Sequence, residues 1–513
     1  MADSGEERER SAILSKVTRP IKAFSQEIGL VALFHAPADT QILILQRFVR
    51  LFAYGGSTLI LASYLSALGN PNARIGLFMT LTLAGDVFLS FLLTLVADGL
   101  GRRAILVLGA ALMSVSGVVF ASSGNFWVLL AAAIVGVISP SGNEIGPFRA
   151  IEESTIAHLT ASGDRSDIYA WYSLIGTAGT ALGFVGCGWI ITVLTHEKHF
   201  SSIGAYRVIF CIYAVVGLVK LSLALLLSKA CEVDGTPKST AAAAAASSAP
   251  TETAPLLGNG SVNANGTVEQ DDNDSGNDND IKKDKKRFRL LPNISEESQV
   301  VLLQLCILFA FDNFASGLAP LSWVTFFFKQ KFGLTEGKLG SIFSITGIIS
   351  AVSMLVASSI AKRIGNVKTM VFTHLPSAIC LALIPVPSTL TGALVFLVGR
   401  ACTQVMDTAP RSAFLAAIVL PHERTAVMGT INLVKTFSQS LGPLITGVLG
   451  TNNHFWVAFV AAGCLKATYD LGLLAVFAGS KSRGRGREHE QRGEVRNDEE
   501  TTAPAPVRTT SSN

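Results

Sequence analysis

The sequence predicts an all-α membrane protein whose twelve transmembrane helices form two pseudo-symmetric six-helix bundles. Three observations carry this. First, the chain of 513 residues is 49% hydrophobic and only 15% charged, where soluble domains hold roughly 25% charged residues. The charges gather between long uncharged stretches, because a lone charge at mid-bilayer costs at least ~2.5–3.5 kcal/mol. Second, twelve stretches each supply the ~20 mostly apolar residues needed to cross ~30 Å of hydrocarbon. Third, one long polar interruption divides them six and six, and the two halves resemble each other.

In chain order, residues 1–45 are expected to be a cytoplasmic segment with an interfacial helix. Residues 1–27 mix Glu, Arg, Lys and Ser and have no signal-peptide core. Residues 28–46 are interrupted by His35, Pro37 and Asp39, so they read as interfacial. The first bundle covers 46–231, with spans expected at 46–68, 75–97, 103–122, 125–147, 168–194 and 205–230. Residues 232–298 contain a run of alanines (Ala241–Ala246), an Asp/Asn/Ser/Gly tract (Asp271–Asp280) and a basic patch. They cannot bury enough apolar surface to fold, and are expected to be a disordered cytoplasmic linker whose basic end meets anionic headgroups. The second bundle covers 299–480, with spans at 300–328, 338–360, 368–386, 390–410, 425–449 and 454–478; residues 481–513 form a polar cytoplasmic tail. Many spans are glycine-rich, which suits close helix packing in lipid. The seven cysteines show no metal-ligand spacing.

Orientation follows the positive charges. Arg102 and Arg103, Lys362 and Arg363, the linker cluster from Lys282 to Arg289 and the tail residues Lys481 to Arg487 all fall on one side of an even-numbered set of crossings. Both termini are therefore expected in the cytoplasm.

The internal repeat is legible at a shift of 264 residues. It lays Arg74-Ile75-Gly76 over Lys338-Leu339-Gly340, and the run from Val96 to Gly101 over that from Ile360 to Gly365. One residue out of phase, Glu144-x-x-Pro147 matches Asp407-x-x-Pro410. Two six-span repeats imply two bundles about a pseudo-two-fold axis with a cavity between them.

Asp98-Gly99-Leu100-Gly101-Arg102-Arg103, between spans two and three, resembles the loop signature of the major facilitator superfamily, Gly-x-x-x-Asp-x-x-Gly-Arg-Lys/Arg. The upstream glycine is replaced by Thr94, and the second copy carries Lys362 in the acidic position. The resemblance, of a fungal-like member, implies a rocker-switch. In it the signature aspartate, Asp98, caps a helix of the opposite bundle; a carboxylate at a helix N-terminus gains ~0.3–1 kcal/mol. The expected conformational latch is Asp98, Gly101, Arg102 and Arg103, completed by Arg149, Glu152, Arg411, Glu423 and Arg424. The resemblance also implies that spans one, four, seven and ten line the cavity, bringing Arg50, Tyr54, Glu144, Asp312, Asn313, Arg400 and Asp407 to it. Drug/proton exporters of the superfamily carry a Gly-Pro pair in span five. Here Gly442-Pro443 lies in span eleven instead, which leaves export open.

An ionisable residue inside a span is a functional candidate by default. Asp86 lies twelve residues before Asp98, or ~18 Å deeper along a helix. Asp312, Arg400 and Lys435 also sit at mid-span. A buried carboxylate is a natural proton carrier, and Asp312 and Asp86 are the candidates. The expected function is secondary active transport of a small solute, coupled to protons, with export of drugs or organic compounds as one direction and uptake as the other. A non-transporting nutrient sensor on the same fold is the alternative. No P-loop lysine motif and no catalytic dyad is present, so no enzyme activity, cofactor or metal is expected. The expected partners are the substrate, protons, the bilayer and a sorting adaptor at Glu252–Leu257, which resembles an acidic dileucine signal. Nucleic acid is not expected, and the chain is expected to act as a monomer. A vacuolar or other endomembrane, or the plasma membrane, would be its location.

Overall fold

The computed structural model describes residues 30–136, 138–141, 147–161, 164–232, 296–419 and 424–477. The expected tails, most of the linker, Glu252–Leu257, Glu144 and Glu423 lie outside them. A short helix, Leu30–His35, precedes twelve spans. In order they are Ala38–Ala67, Asn72–Leu100, Arg102–Ser122, the pair Phe126–Val135 and Pro147–Leu159, Arg165–His196, Ser202–Leu225, the pair Glu296–Leu318 and Leu321–Phe332, Glu336–Ile364, Asn366–Leu383, the pair Leu390–Thr403 and Thr408–Ile418, Arg424–Thr451, and Phe455–Phe477. Among the described residues, eight spans are long and apolar enough to cross a bilayer on composition alone. Spans four and ten are interrupted. Span eleven buries Asn432, Lys435, Thr436, Gln439 and Ser440, so its low hydropathy reflects a polar interior face.

Span one starts at Ala38, earlier than the apolar run suggested. Pro37 stands at its N-cap with φ −51°, and Asp39 lies in its first turn, where a carboxylate faces the positive end of the helix. Asp39 also accepts from the Ser228 backbone N–H at 3.0 Å and its hydroxyl at 2.5 Å. The polar residues that looked like an interruption thus open the helix. The breaks in spans four, seven and ten each occur beside proline. Pro147 opens the second half of span four, Pro320 separates the halves of span seven, and Pro410 lies in the first turn of the second half of span ten. Proline removes a backbone donor, so it is best tolerated in a first helical turn and bends or breaks a helix elsewhere. Irregular backbone at this depth survives where protein or a cavity surrounds it.

The repeat holds in three dimensions. Helices start at Asn72 and Glu336, and at Arg102 and Asn366; both pairs keep the 264-residue shift. Gly101 (φ +82°) and Gly365 (φ +88°) share one left-handed conformation at corresponding turns, which explains a glycine in both copies of the signature. Thr58 and Ser322, equivalent at the same shift, meet: the Ser322 hydroxyl donates to the Thr58 carbonyl at 3.0 Å. A residue that touches its own counterpart lies near the pseudo-two-fold axis.

The even number of crossings puts the linker and both ends of the described chain on one face, the linker face. Hydrogen bonds join the bundles toward the opposite, far face. Asn72 donates to the Gly450 carbonyl at 3.1 Å, and the Leu444 N–H to the Thr80 hydroxyl at 3.1 Å. Across the second seam, the Gly337 N–H donates to the Thr192 hydroxyl at 2.8 Å and Tyr206 to Glu336 at 2.6 Å. Lys329 joins the same Glu336 oxygen at 2.5 Å. Backbones touch along these seams. A methyl group on Gly76 would lie 3.0 Å from the Gly447 Cα, and one on Gly340 2.9 Å from the Phe184 carbonyl carbon. Small residues permit this approach.

Candidate functional site

Ionisable side chains inside the bundles collect into two networks. In the second bundle, Asp312 of span seven is buried. One of its oxygens takes a hydrogen bond from the Lys466 ammonium at 2.6 Å, and the other from the Arg411 guanidinium at 3.2 Å. Arg411 also pairs with Asp407, one helical turn earlier. His374 of span nine presents Nδ1 to both oxygens of Asp470 at 3.0 Å, with Nε2 3.9 Å from Asp312. Phe309 lies between two cations: Lys435 is 5.0 Å and Arg411 5.5 Å from its ring centre. Charges removed from water are tolerated here because Asp312 and Asp407 each have a hydrogen-bonded counter-charge and Asp470 is hydrogen-bonded to His374; breaking one such charge pair costs about 3–5 kcal/mol.

In the first bundle, Glu152 of span four is fully buried. It accepts from Arg50 at 2.7 Å and from the Tyr172 hydroxyl at 2.8 Å, and the Lys220 ammonium stands 3.4 Å away. Arg47 stacks over the Tyr172 ring at 4.0 Å. Glu152 and Lys220 lie in the linker-side parts of their spans, whereas Lys466 is midway along span twelve.

A cavity of about 240 Å³ opens beside the second network. Its polar wall is Ser141 from the first bundle with Ser316, His374, Ser377, Arg400, Gln404, Gln439 and Lys466 from the second; Val324, Phe343 and Leu397 form an apolar side. The Lys466 ammonium also donates to the Ser316 hydroxyl at 2.9 Å. Lys466 therefore belongs to both the wall and the Asp312 pair.

The sequence candidates are distributed unevenly over this geometry. Asp312, Asp407 and Lys435 meet in the second network, and Arg400 lines the cavity. Asn313 is buried, and its amide donates to the Phe309 carbonyl of its own helix at 2.9 Å. Tyr54 is buried in span one. Asp86 stands apart from both networks; its buried carboxylate has no hydrogen-bond partner among the described residues. Of the expected latch residues, Arg411 lies within the Asp312 network. Arg149 bonds Glu153 of its own helix at 2.7 Å. The side chains of Asp98 and Arg424 lie outside the described set. The Arg102 and Arg103 backbone N–H groups both donate to the Glu232 carboxylate, at 2.9 and 3.1 Å, and the Arg103 guanidinium donates to the Leu225 carbonyl at 2.5 Å. The signature loop is thus anchored within its own bundle.

Sequence reasoning missed Lys466, His374, Asp470, Lys220 and Glu232. The first four are ionisable residues in apolar spans, so the rule that flagged Asp312 would have found them. Glu232 follows the last apolar stretch of its half and carries no such signal.

The family model described as the Major Facilitator Superfamily matches residues 43–406 and 305–511. The chain belongs to this superfamily. An uncharacterized membrane protein of Saccharomyces cerevisiae is 36% identical over 449 residues, covering 86% of this chain and 95% of that one. The quinolone resistance protein NorA of Staphylococcus aureus is 27% identical over 157 residues, 31% of this chain and 39% of that protein. Among solved structures, the nucleoside transporter NupG superposes with a TM-score of 0.60 at 14% identity, covering 86% of this chain and 99% of that one. A D-xylose-proton symporter gives 0.59 at 16%, covering 85% and 96%. At these identities they share the fold. This superfamily member is a multi-pass membrane protein and a secondary transporter, not an enzyme.

Proposed function

We propose that this transporter couples the movement of a small solute to protons. Asp312 is the coupling carboxylate, and the cavity beside it is the solute site. One observation carries the reading: the ammonium that lines the cavity, on Lys466, is the one paired with Asp312 at 2.6 Å. A proton on Asp312 removes the negative partner of Lys466 and Arg411, and both cations then turn to the solute's polar groups. Loss of the proton restores the pairs and weakens the solute's hold. Competition for the same cations is a physical route to coupling, since a ligand shifts an equilibrium only through differential interaction.

Alternating access supplies the rest. The seams joining the bundles at the far face fit a conformation open at the linker face, and the positive charges favour the cytoplasm for that face. The latch of Asp98, Gly101, Arg102 and Arg103, with Arg149, Glu423 and Arg424, closes the linker face in the opposite state. The partial likeness to a quinolone resistance protein favours export of organic compounds as the direction. The Glu252–Leu257 signal favours a vacuolar or endomembrane location.

Flux in proteoliposomes under an imposed pH gradient tests the coupling. Asp312→Asn abolishes gradient-driven flux and retains solute exchange. An unchanged pH dependence clears Asp312 of the role.

A further inference from the structure

From the chemistry of the cavity wall we infer that the solute is a small amphipathic organic acid, a carboxylate that also carries a hydroxyl or N–H donor. The inference rests on reading this cavity as the solute site, and adds the class of molecule that fits it.

Charge is the first argument. Among the described residues, the ionisable side chains of the wall are Arg400, Lys466 and His374, with no carboxylate among them. The three acids nearby are engaged behind it: Asp312 by Lys466 and Arg411, Asp407 by Arg411, and Asp470 by His374. An approaching solute therefore meets cations first. Lys466 gives one N–H to Asp312 and one to Ser316, and an ammonium has three. The guanidinium of Arg400 adds a planar fork that matches a carboxylate. A cationic solute would be placed against the like charge of Lys466 and Arg400, with no acid among the described wall residues to receive it.

Hydrogen bonding is the second argument, and it is independent. Gln439 is 2% exposed and lines the cavity, and its side-chain oxygen has no hydrogen-bond partner among the described residues. A buried acceptor left unmade costs about 1–3 kcal/mol, so this position asks for a donor. A bare carboxylate has none; a hydroxy or amino acid supplies one. Size and polarity complete the description. The cavity is only about 240 Å³, and Val324, Phe343 and Leu397 give it one apolar side, suited to a compact hydrocarbon or ring body.

Four probes of similar size separate these features: mandelate, its neutral amide mandelamide, phenylacetate, which lacks the hydroxyl, and the cation 2-phenylethylamine. Binding is measured by calorimetry on the full chain purified in detergent. Mandelate should bind at least about tenfold more tightly than mandelamide, a difference of ~1.4 kcal/mol, and several-fold more tightly than phenylacetate; the amine should be weakest. Arg400→Gln should collapse the mandelate-to-mandelamide ratio toward one, and Arg400→Lys, which keeps the charge, should preserve most of it. Gln439→Leu should remove the preference for mandelate over phenylacetate and leave the charge preference in place. The inference is overturned if mandelate does not bind, if the amide or the amine binds as tightly as mandelate, or if Arg400→Gln leaves the ratio intact in a folded protein. Counterflow of labelled mandelate in proteoliposomes is read separately. Charge-selective binding without counterflow supports the site and removes the transport reading; pH-driven flux of a cation with no anion preference does the reverse.

Discussion

The two bundles share one architecture and use buried charge differently. Each takes a lysine from its last span and sets it near a carboxylate of an inner span, Lys220 beside Glu152 and Lys466 beside Asp312. In the first bundle the carboxylate is encircled by Arg50, Tyr172 and Lys220, and none of them lines the cavity. In the second, three acids and three cations share one cluster, and Lys466 and His374 reach the cavity wall. The same duplicated frame thus holds one network that ties helices together and another that, under the proposed coupling, exchanges its partners with a solute.

Substitutions can break or sharpen this contrast. The largest effect is expected from Asp312→Asn: gradient-driven flux falls by about a hundredfold or more, equivalent to at least ~2.7 kcal/mol, while exchange persists. Glu152→Gln is the counterpart. It should lower stability by about 3–5 kcal/mol, read as thermal unfolding in detergent, yet leave the pH profile of the remaining flux unchanged. A shifted profile would make the first network a coupling site too. Next comes the far-face seal, where the halves should be equal. Gly76→Ala forces a methyl against Gly447 and should cost the sealed state about 1–3 kcal/mol. Cysteine accessibility at the far face should rise, and Gly340→Ala should match it; unequal responses would show that one seam bears the seal. The smallest effect is expected from Glu232→Ala, which removes the acceptor for two N–H groups at the start of span three, at a cost of about 1 kcal/mol. A reduced unfolding temperature with near-normal solute binding is the expected readout.

How much of this was legible depends on what each property requires. Span positions follow from hydropathy, a local quantity, and the 264-residue shift survived because glycine at 101 and 365 answers a backbone demand that side-chain drift cannot meet. The start of span one is hidden in the sequence because Pro37 and Asp39, which open a helix, look like interruptions when only apolarity is counted. The charge partners were harder. Arg411 is expected in the latch, yet its side chain reaches Asp312 and Asp407. Lys466 and His374 come from spans twelve and nine, which the family pattern does not place at the cavity; pairing across helices depends on rotation and depth, and a linear pattern encodes neither. Asp98, the acid of the signature loop, has its side chain outside the described set, so the latch rests on the experiment of neutralising it: Asp98→Asn should cripple flux while the protein still reaches the membrane.

The glycine seams set the character of the motion. Where main chain lies against main chain, no rotamer can swing aside to loosen the contact by degrees; the halves are either seated or parted. A carrier fastened in this way should dwell in two poses and pass quickly between them, so a leak through both mouths at once would be rare even when the cargo is small.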